Sequence, residues 1–142
     1  MIPKSALVLG LAGLVPFVAC AVALLSGWSL PLLAGREDLI MVRYGIIILA
    51  FMSGVLWGFA TRATGRTATI GYAVSVLPAL WAFFTTLGPT PQALLALILG
   101  YLGLLVLDWY FWRLSLAPSW WIRLRVILSA GVLASLAVGL YA

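Results

Sequence analysis

"PQALLALILGYLGLLVLDWYFWRLSLAPSWWIRLRVILSAGVLASLAVGLY", residues 91–141, consists of two long apolar runs joined by a short stretch rich in tryptophan and arginine. About 20 apolar residues in a helix, rising 1.5 Å each, cross a hydrocarbon core roughly 30 Å thick. Each run meets that length, and the turn Ala117-Pro118-Ser119 between them folds the second back along the first. A helical hairpin crossing a membrane twice is therefore the unit from which the rest of the chain is read.

Composition extends that reading to the whole sequence. Of 142 residues 65% are hydrophobic and only 8% charged, against about 25% charged in an ordinary soluble domain. Lipid is the solvent such a surface suits. Five stretches are long enough to cross: Ser5–Ser26, Leu39–Ala60, Ala68–Leu87, Pro91–Trp112 and Trp120–Tyr141. Their ends carry local signals: Asp38 as an N-cap for the second, Gly88-Pro89 closing the third, and Thr90-Pro91 opening the fourth. No linker, repeat or low-complexity tract interrupts them. The expected fold is a single all-α membrane domain over residues 1–142, a bundle of five transmembrane helices.

The first apolar run, with Lys4 before it and Ala19-Cys20-Ala21 within it, weakly resembles a cleavable signal peptide. Its length of about 22 residues favours a retained span. Basic residues set the expected orientation. Lys4, Arg62, Arg66, Arg113, Arg123 and Arg125 fall on one side of the five spans, Arg36 and Arg43 on the other, where Glu37 and Asp38 offset them. The positive-inside rule then puts the N-terminus in the cytoplasm, or the matrix, and the C-terminus outside. The first span begins four residues after Met1, which leaves little room for an Arg-rich transit peptide. A bacterial inner membrane is expected over a mitochondrial one.

The chemistry open to this chain is narrow. It has no histidine, one cysteine and three carboxylates, so the commonest general base and the commonest transition-metal ligand are missing. Cys20 can form no intramolecular disulfide. No catalytic residue, metal site or cofactor is expected. The net charge of +5 lies between apolar segments, not on one polar face, and points to a membrane surface, not to nucleic acid.

Within the hairpin, Asp108 lies about one and a half turns inside its helix and Arg125 a similar distance inside the next. A carboxylate in hydrocarbon calls for a partner. The expected pair is Asp108–Arg125, with Arg123 as the rival, since residues two apart point to opposite sides of a helix. Trp109, Trp112, Trp120 and Trp121 are expected at the membrane interface with Arg113 and Arg123, contacting lipid, anionic headgroups included, or a protein partner. Trp109 with Arg113, and Trp121 with Arg125, have the spacing that lays a cation over a ring.

Small residues recur every fourth position on three helices: Ala19, Ala23 and Gly27; Ala50, Gly54 and Gly58; Gly131, Ser135 and Gly139. Such stripes allow helix backbones to approach closely in lipid. They are expected to pack the bundle internally, with homo-oligomerisation or a membrane-protein partner as the other use. Pro16 and Pro78 each remove a backbone donor in mid-span, freeing the carbonyls of Ala12 and Val74. Simple kinks are expected, because no charged or strongly polar side chain neighbours either proline in sequence; a transporter's broken helices are the alternative.

Four stretches, "KSALVLGLAGLVPFV" (4–18), "RYGIIILAFMSGVLWGFA" (43–60), "YAVSVLPALWA" (72–82) and "SWWIRLRVILSA" (119–130), together resemble the family numbered 3429 among domains of unknown function. The arrangement of Tyr44, Gly45, Phe51, Gly54, Trp57 and Gly58 is its most distinctive part, and Pro78 belongs to the third stretch. That family pattern often carries a polar residue, frequently His, before the Trp-Gly pair, where this chain has Leu56. The resemblance implies a small multi-spanning inner-membrane protein and brings no reaction, substrate or catalytic residue. Three functions are open: an accessory, structural or assembly component of a larger membrane complex; a small oligomeric transporter or channel using Asp108; and an Asp108-dependent enzyme acting on lipid. The first agrees best with short loops and small-residue helix faces.

Overall fold

The computed structural model describes residues 1–27, 31 and 35–142. Its elements are α1 (Lys4–Ser26), α2 (Glu37–Ala60), α3 (Gly65–Ser75), α4 (Leu77–Thr85), α5 (Thr90–Arg113) and α6 (Trp121–Tyr141), with no strand among the described residues. Taking α3 and α4 as one interrupted span, five helices are long and apolar enough to cross a membrane, with mean hydropathies from 1.5 to 2.5. The faces turned away from the bundle are apolar too: Val8, Leu9, Val15 and Leu25 on α1, Phe83 and Phe84 on α4, and Val106 on α5 are all exposed. Only a lipid environment leaves such a surface unstrained.

α2 is the hub. It packs against α1, α3, α4, α5 and α6, while α1 lies along α6 and α6 along α5. Its buried residues, Met41, Val42, Gly45, Leu49, Met52, Ser53, Leu56 and Ala60, follow a three-or-four spacing that makes one continuous stripe. Leu49, Leu56, Leu97, Tyr101, Leu104 and Phe111 form the middle of the core. Leu56 is wholly buried there.

Three hydrogen bonds from aromatic side chains to helix backbone lock this core. Tyr44 Oη donates to the Gly13 carbonyl at 2.8 Å, Tyr101 Oη to the Gly45 carbonyl at 2.7 Å, and Trp81 Nε1 to the Ala96 carbonyl at 2.7 Å. Each ties two spans together where water is absent and an unmade bond would be expensive.

The third span differs from a uniform kinked helix. It stops at Ser75 and restarts at Leu77, because Pro78 has no N–H for the Val74 carbonyl. The sequence shows no polar neighbour for this proline, but the fold supplies one. Ser53 Oγ, reaching across from α2, donates to the Ser75 carbonyl and accepts from the Ala79 N–H at 3.3 Å. These are the two groups that would have bonded each other in an unbroken helix. A side chain inserted into the helical ladder is a recognised origin of a sharp bend. Pro16, in contrast, is accommodated inside a continuous α1.

One end signal also differs. Asp38 does not precede α2 but lies in its first turn, after Glu37. Its Oδ1 accepts from the Leu39 N–H at 2.8 Å, and both carboxylates sit at the end of the helix dipole that favours them. Arg43 is exposed, and no ion pair joins it to Glu37 or Asp38 among the described residues. At the turn of the hairpin, α5 closes in a Schellman-type turn. Ser115 takes φ 61°, its N–H donates to the Trp112 carbonyl at 3.0 Å, and the Leu116 N–H donates to the Phe111 carbonyl at 3.1 Å.

Candidate functional site

α5 ends and α6 begins on either side of the Pro118 turn, and this antiparallel geometry sets Asp108 and Arg125 at the same depth. Arg125 Nε donates to Asp108 Oδ2 at 2.9 Å; Asp108 is 0% exposed and Arg125 5%. Arg123, the rival, is exposed and points away. The second carboxylate oxygen is engaged as well. Trp121 Nε1 donates to Asp108 Oδ1 at 3.0 Å, and the Arg125 guanidinium carbon lies 6.0 Å from the centre of the Trp121 ring.

Trp121 is thus not the interfacial residue expected. It is 9% exposed, packs edge-on against Phe59 with centroids 4.9 Å apart, and completes a three-residue clasp. Its indole N–H could satisfy a headgroup or a carboxylate equally well, and only the way α6 faces α5 decides which. The other aromatics do reach the surface at this end of the bundle. Trp109 is exposed beneath Arg113, whose guanidinium carbon lies 5.5 Å from the ring centre. Trp112 and Trp120 are half-buried, and Trp112 Nε1 donates to the Ser119 carbonyl at 3.1 Å, which braces the turn.

The small-residue stripes part company. On α6, a Cβ at Gly131 would fall 2.8 Å from Leu14 Cδ1 and one at Gly139 2.7 Å from Met41 Sδ, while Ser135 is buried. That stripe holds α1 and α2 against α6. On α1 only Ala23 is buried; Ala19 is exposed, and Gly27 ends the helix at φ 72°. On α2, Ala50, Gly54 and Gly58 all face outward, and a Cβ at either glycine would meet nothing within 4 Å. The expectation of internal packing is corrected here. The buried stripe of α2 runs along its opposite side, so among the described residues no helix lies against the glycine face. Phe51, 65% exposed, and Trp57, 48% exposed and lying 4.7 Å from Tyr72 ring to ring, flank the open glycines.

Among the described residues no three Cys, Asp or Glu side chains gather where they could hold a metal ion. The sequence pattern described as "protein of unknown function (DUF3429)" matches residues 2–141. The chain belongs to this family. It is 36% identical over 139 residues to transmembrane protein 69 of Xenopus tropicalis, covering 94% of this chain and 53% of that protein. To transmembrane protein 69 of Mus musculus it is 33% identical over 130 residues, covering 88% of this chain and 51% of that one. The chain therefore spans about half the length of the curated relatives it matches. No solved structure matches it. Of the family-motif residues, Tyr44 and Gly45 are tied into the core by hydrogen bonds and Pro78 shapes the broken span, while Phe51, Gly54, Trp57 and Gly58 all look outward from α2.

Sequence reasoning missed Ser53. A serine in an apolar helix carries no mark of its role, and its partners lie 22 and 26 residues away. The one signal available is that Ser53 and the Pro78 break fall at similar depths in antiparallel neighbouring spans.

Proposed function

We propose that this protein is an accessory or assembly component of a larger membrane complex, and that the outward face of α2 is the surface it offers to a partner helix. The observation that carries this reading is the open glycine face itself. Ala50, Gly54 and Gly58 form a shallow channel bordered by Phe51 and Trp57. In lipid, where apolar surface alone gives no drive for association, close backbone approach along such a channel gains the packing that bulky side chains prevent. The same spacing on α6 is already filled by Leu14 and Met41 from neighbouring helices.

A structural role for the clasp agrees with this. Both Asp108 oxygens are engaged, and the cavity beside Arg125, about 140 Å³, is lined by apolar side chains such as Leu14, Phe17 and Met52. On this account the clasp staples α5 to α6 and carries no ion. The basic end of the bundle, with Lys4, Arg62, Arg66, Arg113 and Arg123, faces the cytoplasm or matrix by the positive-inside rule.

A photo-crosslinking residue placed at position 51 tests the proposal in native membranes. One discrete heavier adduct is expected, with none from the same residue at position 106 on the lipid face of α5. Equal yields from both positions, or no adduct from either, would overturn it.

A further inference from the structure

A second surface lies at the basic end of the bundle, beyond the C-terminal end of α2. There the connection between α2 and α3 meets the hinge between α5 and α6, and the two border an open, groove-like cavity of about 690 Å³. Its walls include Arg62, Trp112, Arg113, Ser115, Pro118 and Ser119. The cavity is built, not merely left over. Arg62 Nη1 donates to the Leu116 carbonyl at 2.9 Å, which ties the two connections together, and Trp112 Nε1 braces the far wall through the Ser119 carbonyl.

The electrostatics around it are one-sided. Of the three carboxylates in the chain, Glu37 and Asp38 lie at the opposite end of α2, and Asp108 is taken up by Arg125. Arg62 and Arg113 therefore have no acidic partner among the described residues, and Lys4, Arg66 and Arg123 at the same end are exposed without one. An Arg presents five donors in a planar fork matched to phosphate oxygens. Arg62 uses one of its donors on Leu116, which leaves the rest free. Ser115 and Ser119 add polar groups, and the surrounding Trp109, Trp112 and Trp120 mark the depth at which lipid headgroups lie.

We infer that this cavity binds the phosphate of an anionic phospholipid headgroup between Arg62 and Arg113. Phosphatidylcholine carries the same phosphate, but its choline cation would sit among uncompensated positive charges, so the site selects the anionic lipid.

The test uses the full chain in nanodiscs of phosphatidylcholine containing a minor fraction of bromine-labelled phosphatidylglycerol, read by quenching of tryptophan fluorescence. A preference for phosphatidylglycerol over equally labelled phosphatidylcholine is expected, and Arg62→Gln/Arg113→Gln should reduce it on the order of tenfold. Arg113→Gln alone, which spares the Arg62 tether, should lose an intermediate part at unchanged thermal stability. Arg123→Gln removes a cation of the same face that does not line the cavity, and should lose little. An equal loss from Arg123→Gln would mean diffuse surface charge and overturn the site. Displacement of the labelled lipid by inorganic phosphate at matched concentration would make the ligand a free anion and overturn the lipid assignment.

Discussion

Breaking the clasp one partner at a time should be far more damaging than removing it whole. Asp108 and Arg125 are both buried and joined at 2.9 Å, so taking away either charge strands the other in a medium that cannot solvate it. Loss of one member of a buried pair costs about 3–5 kcal/mol, whereas replacing both by neutral groups is often close to neutral. Asn at position 108 keeps an acceptor for Trp121 Nε1, and Met at 125 keeps the length and apolar stem of the arginine. Asp108→Asn and Arg125→Met should therefore each destabilise by about 3 kcal/mol or more, and the double variant by about 1 kcal/mol. Equilibrium unfolding in mixed detergent micelles, titrated with SDS and followed by tryptophan fluorescence, gives the four corners of the cycle. Arg123→Gln, exposed and unpaired with Asp108, should stay within about 0.5 kcal/mol of the parent. Additive losses in the double variant would refute the reasoning, because uncoupled residues cannot be a charge pair.

Other parts of the fold give equally direct expectations. Ser53→Ala leaves the Ser75 carbonyl and the Ala79 N–H facing each other across the proline break; a loss of about 1–3 kcal/mol is expected, with faster hydrogen exchange at Ala79. Gly71→Ala places a methyl 2.9 Å from the Ala60 Cβ, which belongs to a short side chain fixed to the α2 backbone, and should destabilise by about 1–3 kcal/mol in the same unfolding assay. Ser115→Gly relieves a left-handed residue in the turn after α5 and should raise stability by about 1 kcal/mol in thermal unfolding.

What could be read before the fold was known depended on whether a feature is local. Apolar length gives the five spans directly, because the bilayer imposes it. The depth of Asp108 and Arg125 follows from counting turns on either side of one short hinge. By contrast, the facing of α2 depends on which side its neighbours occupy. Both of its sides are apolar, so Ala50, Gly54 and Gly58 look the same in sequence whether they face α5 or the lipid. Trp121 is hidden for a similar reason: an indole suits the interface and the core alike. Ser53 is invisible because its partners are backbone atoms far along the chain. The Pro78 break was legible as a missing donor, but the hydroxyl that fills it was not.

The α2 face is the centre of the functional account, and native mass spectrometry after gentle polymer extraction from the native membrane tests it most directly. Parent protein and Gly54→Leu/Gly58→Leu should be extracted side by side. Neither glycine has a neighbour within 4 Å of an added Cβ, so the variant should fold with the thermal stability of the parent. The account predicts a stoichiometric complex with other chains for the parent and a free monomer for the variant. A partner-free parent monomer, or a variant that keeps the same complex, would contradict it.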